Sequence, residues 1–264
     1  MNGSTQTRNC VAESVPPQEL LSIPQVKSEA WMIPLRSETP RRTFPIVNVL
    51  LIVANIVVFA YQLSLPPRAG ELLVRQFGLV PVRAERALAH PGAQSGPALV
   101  PLVTSMFLHG GILHILGNML LLWVFGGNVE DRLGHLRYLG FYFICGIGAG
   151  LAQIAVNWGS PLPSIGASGA ISGVMGAYIV LFPSARVLTL VPLLFFFFTI
   201  RLPALLMLGY WFVIQFLSGL STLGEINQGG VAWWAHIGGF ILGMFLVWGL
   251  RQQRRQFDYW GASG

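Results

Sequence analysis

The chain alternates long apolar runs with short polar breaks. A membrane-spanning helix needs about 20 mostly apolar residues, and Phe44–Leu63 supplies them without a single charge. The stretch that follows, Ser64–Leu108, carries four arginines and several prolines and is too polar to span. Within it, Glu71–Val80 reads as a short helix lying on the membrane interface. Apolar runs then recur near Gly110–Gly126, near Tyr138–Asn157, from Ser168 to just before Pro183, over Pro203–Leu220 and over Val231–Leu250. The run headed by Ser168 has about 16 residues, short for a full crossing. Val187–Ile200 lies between Arg186 and Arg201, contains Phe195–Phe198 and is rich in strand formers. It reads as an interfacial hairpin or a re-entrant segment. As a true span it would raise the count to seven and move the C-terminus across the membrane.

The pattern predicts an all-α membrane protein, a bundle of six transmembrane helices over residues 44–250 with a long outer loop between the first and second. Residues 1–43 are polar and hold Pro16, Pro17, Pro24, Pro34 and Pro40, which predicts a disordered tail. In it, Trp31-Met32-Ile33 is a small apolar patch suited to the membrane surface. Residues 251–264 form a short basic tail.

Composition supports the membrane reading. Hydrophobic residues make up 53% and charged residues 10%, against about 25% charged in soluble domains; mean hydropathy is +0.62. The net charge of +6 comes from cations flanking apolar runs. No stretch interleaves basic and aromatic residues on a polar surface, which argues against a nucleic-acid partner. With six spans, one side carries twelve cations (Arg8, Lys27, Arg36, Arg41, Arg42, Arg132, Arg137, Arg186, Arg201, Arg251, Arg254, Arg255) and the other carries four (Arg68, Arg75, Arg83, Arg86). That bias places both termini in the cytoplasm. Two cysteines, Cys10 and Cys145, are too few for a disulfide framework. The N-terminus has no basic patch leading at once into an apolar core, so no cleavable signal peptide is expected. These features fit a prokaryotic plasma membrane.

Few polar side chains interrupt the apolar runs. His114 and Asn118 are four apart and share a helix face. They suit either interhelical hydrogen bonds that lock packing or donors aimed at a developing oxyanion. Ser168, after Gly166-Ala167, could be a helix N-cap. The loop before it, with Pro161, Pro163 and Gly166, and the short helix after it place it below the membrane surface, at a helix end that favours negative charge. Ser172, one turn further, is the rival nucleophile; it looks buried against small neighbours, and Ser168 is preferred. His236 could be a packed structural residue. Gly239 and Gly243 on its helix face, with Gly169 and Gly173 on the other, let two helices approach closely, which would bring His236 to Ser168 as a general base. The spans near this pair hold no carboxylate to complete a triad, and what orients the imidazole is not legible. The sequence has no HExxH.

Four motifs in this order resemble the rhomboid intramembrane serine proteases: His109-Gly-Gly-Ile-Leu-His114-Ile-Leu-Gly-Asn118, Gly126-Gly-Asn-Val-Glu130-Asp131-Arg132-Leu-Gly134, Gly166-Ala-Ser168-Gly169, and Ala235-His236-Ile-Gly-Gly239 with Gly243. The resemblance runs from about Phe44 to Leu250. It implies a rhomboid-like six-helix bundle around a cavity open to the outside. It implies Ser168 as nucleophile and His236 as base, and an oxyanion hole formed by His114, Asn118 and the Ser168 backbone N–H. The implied substrates are single-span membrane proteins, cut near a small residue, with no cofactor or metal. The chain departs from the family pattern twice. Ser172 stands where many members carry an aromatic ring that stacks on the histidine, and no Trp-Arg pair precedes the second span. A catalytically inactive rhomboid-like binder, or a transporter using His114, Asn118 and His236 as a polar path, are the alternatives.

Overall fold

The computed structural model describes residues 32–261 apart from 91, 93, 94, 194, 195 and 224–229, and the backbone alone for 192, 193, 196, 197 and 251–261. The polar tail up to Trp31, the first residue of the apolar patch, lies outside the described residues, while Ile33 of that patch opens β1.

In chain order the elements are β1 (Ile33–Ser37), α1 (Ile46–Ser64), α2 (Pro67–Phe77), α3 (Pro81–Ala89), α4 (Ser95–Leu99), α5 (Pro101–Thr104), α6 (Ile112–Leu121), α7 (Gly127–Leu133), α8 (His135–Val156), α9 (Ser168–Leu181), β2 (Arg186–Leu193), β3 (Phe196–Pro203), α10 (Ala204–Ser221) and α11 (Trp233–Gly261). Five helical stretches among the described residues are long and apolar enough to cross a membrane: Ile46–Ser64, Ile112–Leu133, His135–Val156, Ala204–Ser221 and Trp233–Leu250. The sixth expected span, α9, has 14 residues. At about 1.5 Å per residue it reaches ~21 Å, short of a ~30 Å hydrocarbon core. The second span runs further than its apolar run suggested. A π-helical turn at Leu122–Gly126 carries α6 directly into α7, so Glu130, Asp131 and Arg132 lie on the same helical stretch.

The polar region between α1 and α6 folds into short helices rather than one. The expected interfacial helix at Glu71–Val80 begins earlier, at Pro67, and ends at Phe77. Both α2 and α3 start on a proline, whose fixed φ suits a first helical turn and whose missing N–H costs nothing there. Leu79 and Ser164 exchange backbone bonds of 3.0 and 2.8 Å, and Glu85 accepts from the Gly159 N–H at 2.8 Å. This layer therefore grips the loop that leads into Ser168.

At the opposite end the chain forms a three-stranded antiparallel sheet, in the order β1-β2-β3. Val187–Ile200, read as hairpin or re-entrant, is the β2–β3 hairpin. The tail assignment for 1–43 extends too far, because Ile33–Ser37 pairs with β2. The reason lies in side-chain bonds that composition cannot show. Tyr178 on α9 bonds Ser37 Oγ at 2.6 Å and Thr39 Oγ1 at 2.9 Å, and Asn128 Nδ2 donates to the Thr39 carbonyl at 2.9 Å. The C-terminal stretch from 251 continues α11 as helix to Gly261.

The same end holds a satisfied polar cluster. Helix α1 begins after Pro45 with no side-chain cap of its own, so its first N–H groups need acceptors. Glu130 supplies them. Its fully buried carboxylate accepts from Val47 N–H at 2.9 Å, Asn48 N–H at 2.7 Å and His135 Nδ1–H at 2.5 Å. Asn48 in turn donates to the Leu122 carbonyl, inside the π-helical turn, and accepts from the Tyr138 hydroxyl at 2.7 Å.

Candidate active site

Helices α9 and α11 cross almost backbone to backbone. A Cβ added at Gly239 would lie 2.1 Å from the Gly169 carbonyl oxygen, and one at Gly243 would lie 2.0 Å from that of Gly173. Only glycine fits at such a crossing, which is how small residues bring membrane helices together. Gly173 and Gly169 are also tight against α8, where an added Cβ would lie 2.5 Å from the Cys145 Cβ and 2.6 Å from the Ala149 Cβ.

This approach sets the chemistry. Ser168, the first residue of α9, meets His236 of α11, with Oγ and Nε2 2.7 Å apart. The N-cap reading of Ser168 does not apply, since Ala167 is the capping residue and makes no side-chain cap bond. His236 is 8% exposed. Its Nδ1 lies 2.6 Å from the carbonyl oxygen of Gln215 on α10. An amide oxygen can only accept, so Nδ1 carries the proton. Nε2 is then the lone-pair nitrogen, and Ser168 Oγ–H donates to it. Ser172 is fully buried, and its hydroxyl donates to the Ser168 carbonyl at 2.7 Å, an intrahelical bond. The rings beside His236 come from elsewhere: Trp211 of α10, with centroids 5.9 Å apart and planes tilted by 36°, and Trp233 edge-on at 6.3 Å.

His114 sits beside this pair, and Asn118 follows one helical turn further along α6. His114 Nδ1 accepts from the Gly110 N–H at 3.3 Å, which leaves the proton of a neutral ring on Nε2. That nitrogen faces Gly166. A Cβ built on Gly166 would stand 2.8 Å from His114 Nε2 and 3.5 Å from Ser168 Oγ, and Gly166 has φ +129°. Glycine is required there for backbone conformation, and its missing side chain leaves the space between donor and serine open. Asn118 is buried, and its Nδ2 has no hydrogen-bond partner among the described residues. A buried donor left unpaired costs about 1–3 kcal/mol. A small cavity adjoins Ser168, lined by Met106, Gly146, Ala149, Gly150, Gln153 and Ala235. Small residues dominate its wall.

The structure brings Ser168 and His236 into contact, sets His114 and Gly166 beside them and puts Gly169, Gly239 and Gly243 at the helix crossing, while Asn118 lies on the same helix face as His114, one turn further along α6. Gln215 was missed. The sequence offered only a single glutamine at helical spacing with Met207, Trp211 and Gly219, which does not tell what it bonds. The outer layer, which has no Trp-Arg pair ahead of the second span, is tied down by other bonds. Thr104 Oγ1 donates to the Phe77 carbonyl at 2.8 Å, and His109 and Gln62 exchange bonds of 3.0 and 3.3 Å, tying the outer layer to the bundle.

Fold and site together define a multi-pass helical membrane protein with a serine–histidine pair at one end of its bundle. The Rhomboid domain family matches residues 97–253, more than half of the chain. The chain belongs to the rhomboid family. Among curated relatives, it is 28% identical over 168 residues to RHOMBOID-like protein 5 of Arabidopsis thaliana, covering 56% of this chain and 49% of that protein. It is 29% identical over 159 residues to Rhomboid protein 1, mitochondrial, of Saccharomyces cerevisiae, covering 56% and 41%. It is 45% identical over 76 residues to Rhomboid protease GluP of Bacillus subtilis, covering 29% and 14%. The matched part is thus half or less of each of these relatives.

Proposed function

We propose that this protein is a serine endopeptidase that hydrolyses peptide bonds in or near the transmembrane segment of single-span membrane proteins, using a Ser168–His236 dyad. The observation that carries this reading is the 2.7 Å contact between Ser168 Oγ and the unprotonated Nε2 of His236, with the donor Asn118 Nδ2, one turn from His114, unpaired among the described residues. In the proposed first step Ser168 Oγ attacks the scissile carbonyl carbon while its proton moves to His236 Nε2. The carbonyl oxygen becomes an oxyanion in the gap beside Gly166, where His114 Nε2–H, Asn118 Nδ2–H and the Ser168 backbone N–H donate to it. Collapse breaks the C–N bond; the imidazolium gives its proton to the leaving amine, and an ester on Ser168 remains. Water then attacks the ester, again losing its proton to Nε2, and releases the acid with Ser168 restored. The steps use only these side chains and water. A helical peptide bond is shielded by its own hydrogen bonding, so the substrate strand must unwind to reach Ser168. The small cavity beside it suits a small side chain next to the cut.

The short α9 supports a recessed site that water reaches from the end opposite the sheet. The proposed topology is six spans, with both termini cytoplasmic in a prokaryotic plasma membrane. The test is cleavage of a reporter single-span substrate in liposomes. Wild type cleaves; Ser168→Ala and His236→Ala each lose activity by at least about 10³-fold. Retained cleavage by Ser168→Ala would overturn the mechanism.

A further inference from the structure

What holds His236 follows from the geometry of α10. A neutral imidazole carries one proton on either of two nitrogens, and only the form protonated at Nδ1 leaves Nε2 able to receive the serine proton. The choice is set by the bond the other nitrogen makes. Here that bond goes to the amide oxygen of Gln215, 2.6 Å from Nδ1. Gln215 is 7% exposed, so water competes poorly for the same nitrogen. The residue one turn earlier on α10, Trp211, lays its ring beside the imidazole. Ser172, in the position where a stacking ring was expected, is bonded to its own helix and makes no bond to His236.

We propose that Gln215 is the positioning residue for His236: its side-chain carbonyl fixes the imidazole in the Nδ1–H form and aims Nε2 at Ser168. The proposal rests on the protease reading for its consequence, not for its geometry. An amide is well suited to the role inside a membrane bundle. A carboxylate would bond Nδ1–H more strongly, but it would have to be buried as an ion, which is expensive at this depth. The neutral carbonyl orients the ring without burying a charge.

Two readouts test this. The first is the nitrogen-15 NMR spectrum of histidine-labelled Ser168→Ala protein in detergent, which reports the tautomer without any turnover. The expected result is a protonated Nδ1 and an unprotonated Nε2 at His236, with a mixture of the two forms in Ser168→Ala/Gln215→Leu. The second is the kinetics of Gln215 variants in the otherwise native chain. Gln215→Leu should lower kcat by about 10²-fold or more with little change in KM, the pattern of an interaction that matters only in the transition state. Gln215→Glu, which keeps an acceptor oxygen at the same reach, should retain more activity than Gln215→Leu. A His236 protonated at Nε2 in the first measurement would overturn the proposal, and that measurement needs no Gln215 variant to fold. So would a Gln215→Leu protein with wild-type kcat. Cleavage that survives Ser168→Ala would instead sink the protease reading and leave the tautomer result standing.

Discussion

Glu130 and Asn118 lie on one continuous helical stretch, Ile112–Leu133, and both are buried, yet one has all its bonds made and the other is left waiting. The Glu130 carboxylate closes the first turn of α1, binds His135 and sits beside the Asn48–Tyr138 pair. Asn118 Nδ2 donates to nothing among the described residues, although it stands on the helix face of His114. Where a buried polar group is satisfied, it locks helices together. Asn118 Nδ2 shares the unpaired state with Asn55 Oδ1, both ring nitrogens of His109 and Tyr142 Oη among the described residues, and what sets it apart is its place one turn from His114. The contrast separates the end of the bundle that holds the structure from the end proposed to carry the chemistry.

The largest break in that contrast should come from the clamp. Glu130→Ala orphans the Val47 and Asn48 N–H groups, each worth about 1–3 kcal/mol when buried and unpaired, so stability should fall by roughly 2–6 kcal/mol. Thermal unfolding in detergent checks this, and the protein that remains folded should cleave at near the wild-type rate. Asn118→Ala should do the reverse. Losing one oxyanion donor costs about 10²–10³ in kcat, while the unfolding temperature should hold or rise slightly, because an unpaired buried donor has been removed. A fall in stability as large as that of Glu130→Ala would make Asn118 a structural residue. The smallest effect is expected from Ser172→Ala. Its hydroxyl bonds back onto its own helix, an interaction of small or no benefit to helix stability, and cleavage should stay within about twofold of wild type.

The proposed reacting groups were legible because they break an apolar pattern. A serine after a glycine-containing loop, a histidine on a glycine-striped helix and a His–Asn pair at four-residue spacing all stand out against apolar neighbours. The glycines at 169, 239 and 243 signalled close helix approach, and each proves to face a backbone carbonyl or a tightly packed helix at distances no Cβ allows. Gln215 was not legible, because one glutamine in an apolar run looks the same whether it bonds a backbone or an imidazole. β1 was hidden for a related reason. Ile33–Ser37 has the composition of a tail, and what orders it is pairing with a strand about 150 residues away and bonds to Tyr178 and Asn128. The length of the second span was obscured because Glu130 and Asp131 end the apolar run, although the helix carries on through them with their carboxylates bonded to the start of α1 and the chain just before it.

The central claim is that Ser168, and not its neighbour one turn on, is the nucleophile. Labelling the membrane-embedded protein with a fluorophosphonate and mapping the adduct by mass spectrometry tests it most directly, since the reagent bonds only a serine oxygen that a base has activated. The account predicts one adduct, on Ser168, lost in His236→Ala and retained in Ser172→Ala. An adduct on Ser172, or labelling of Ser168 that persists without His236, would contradict it.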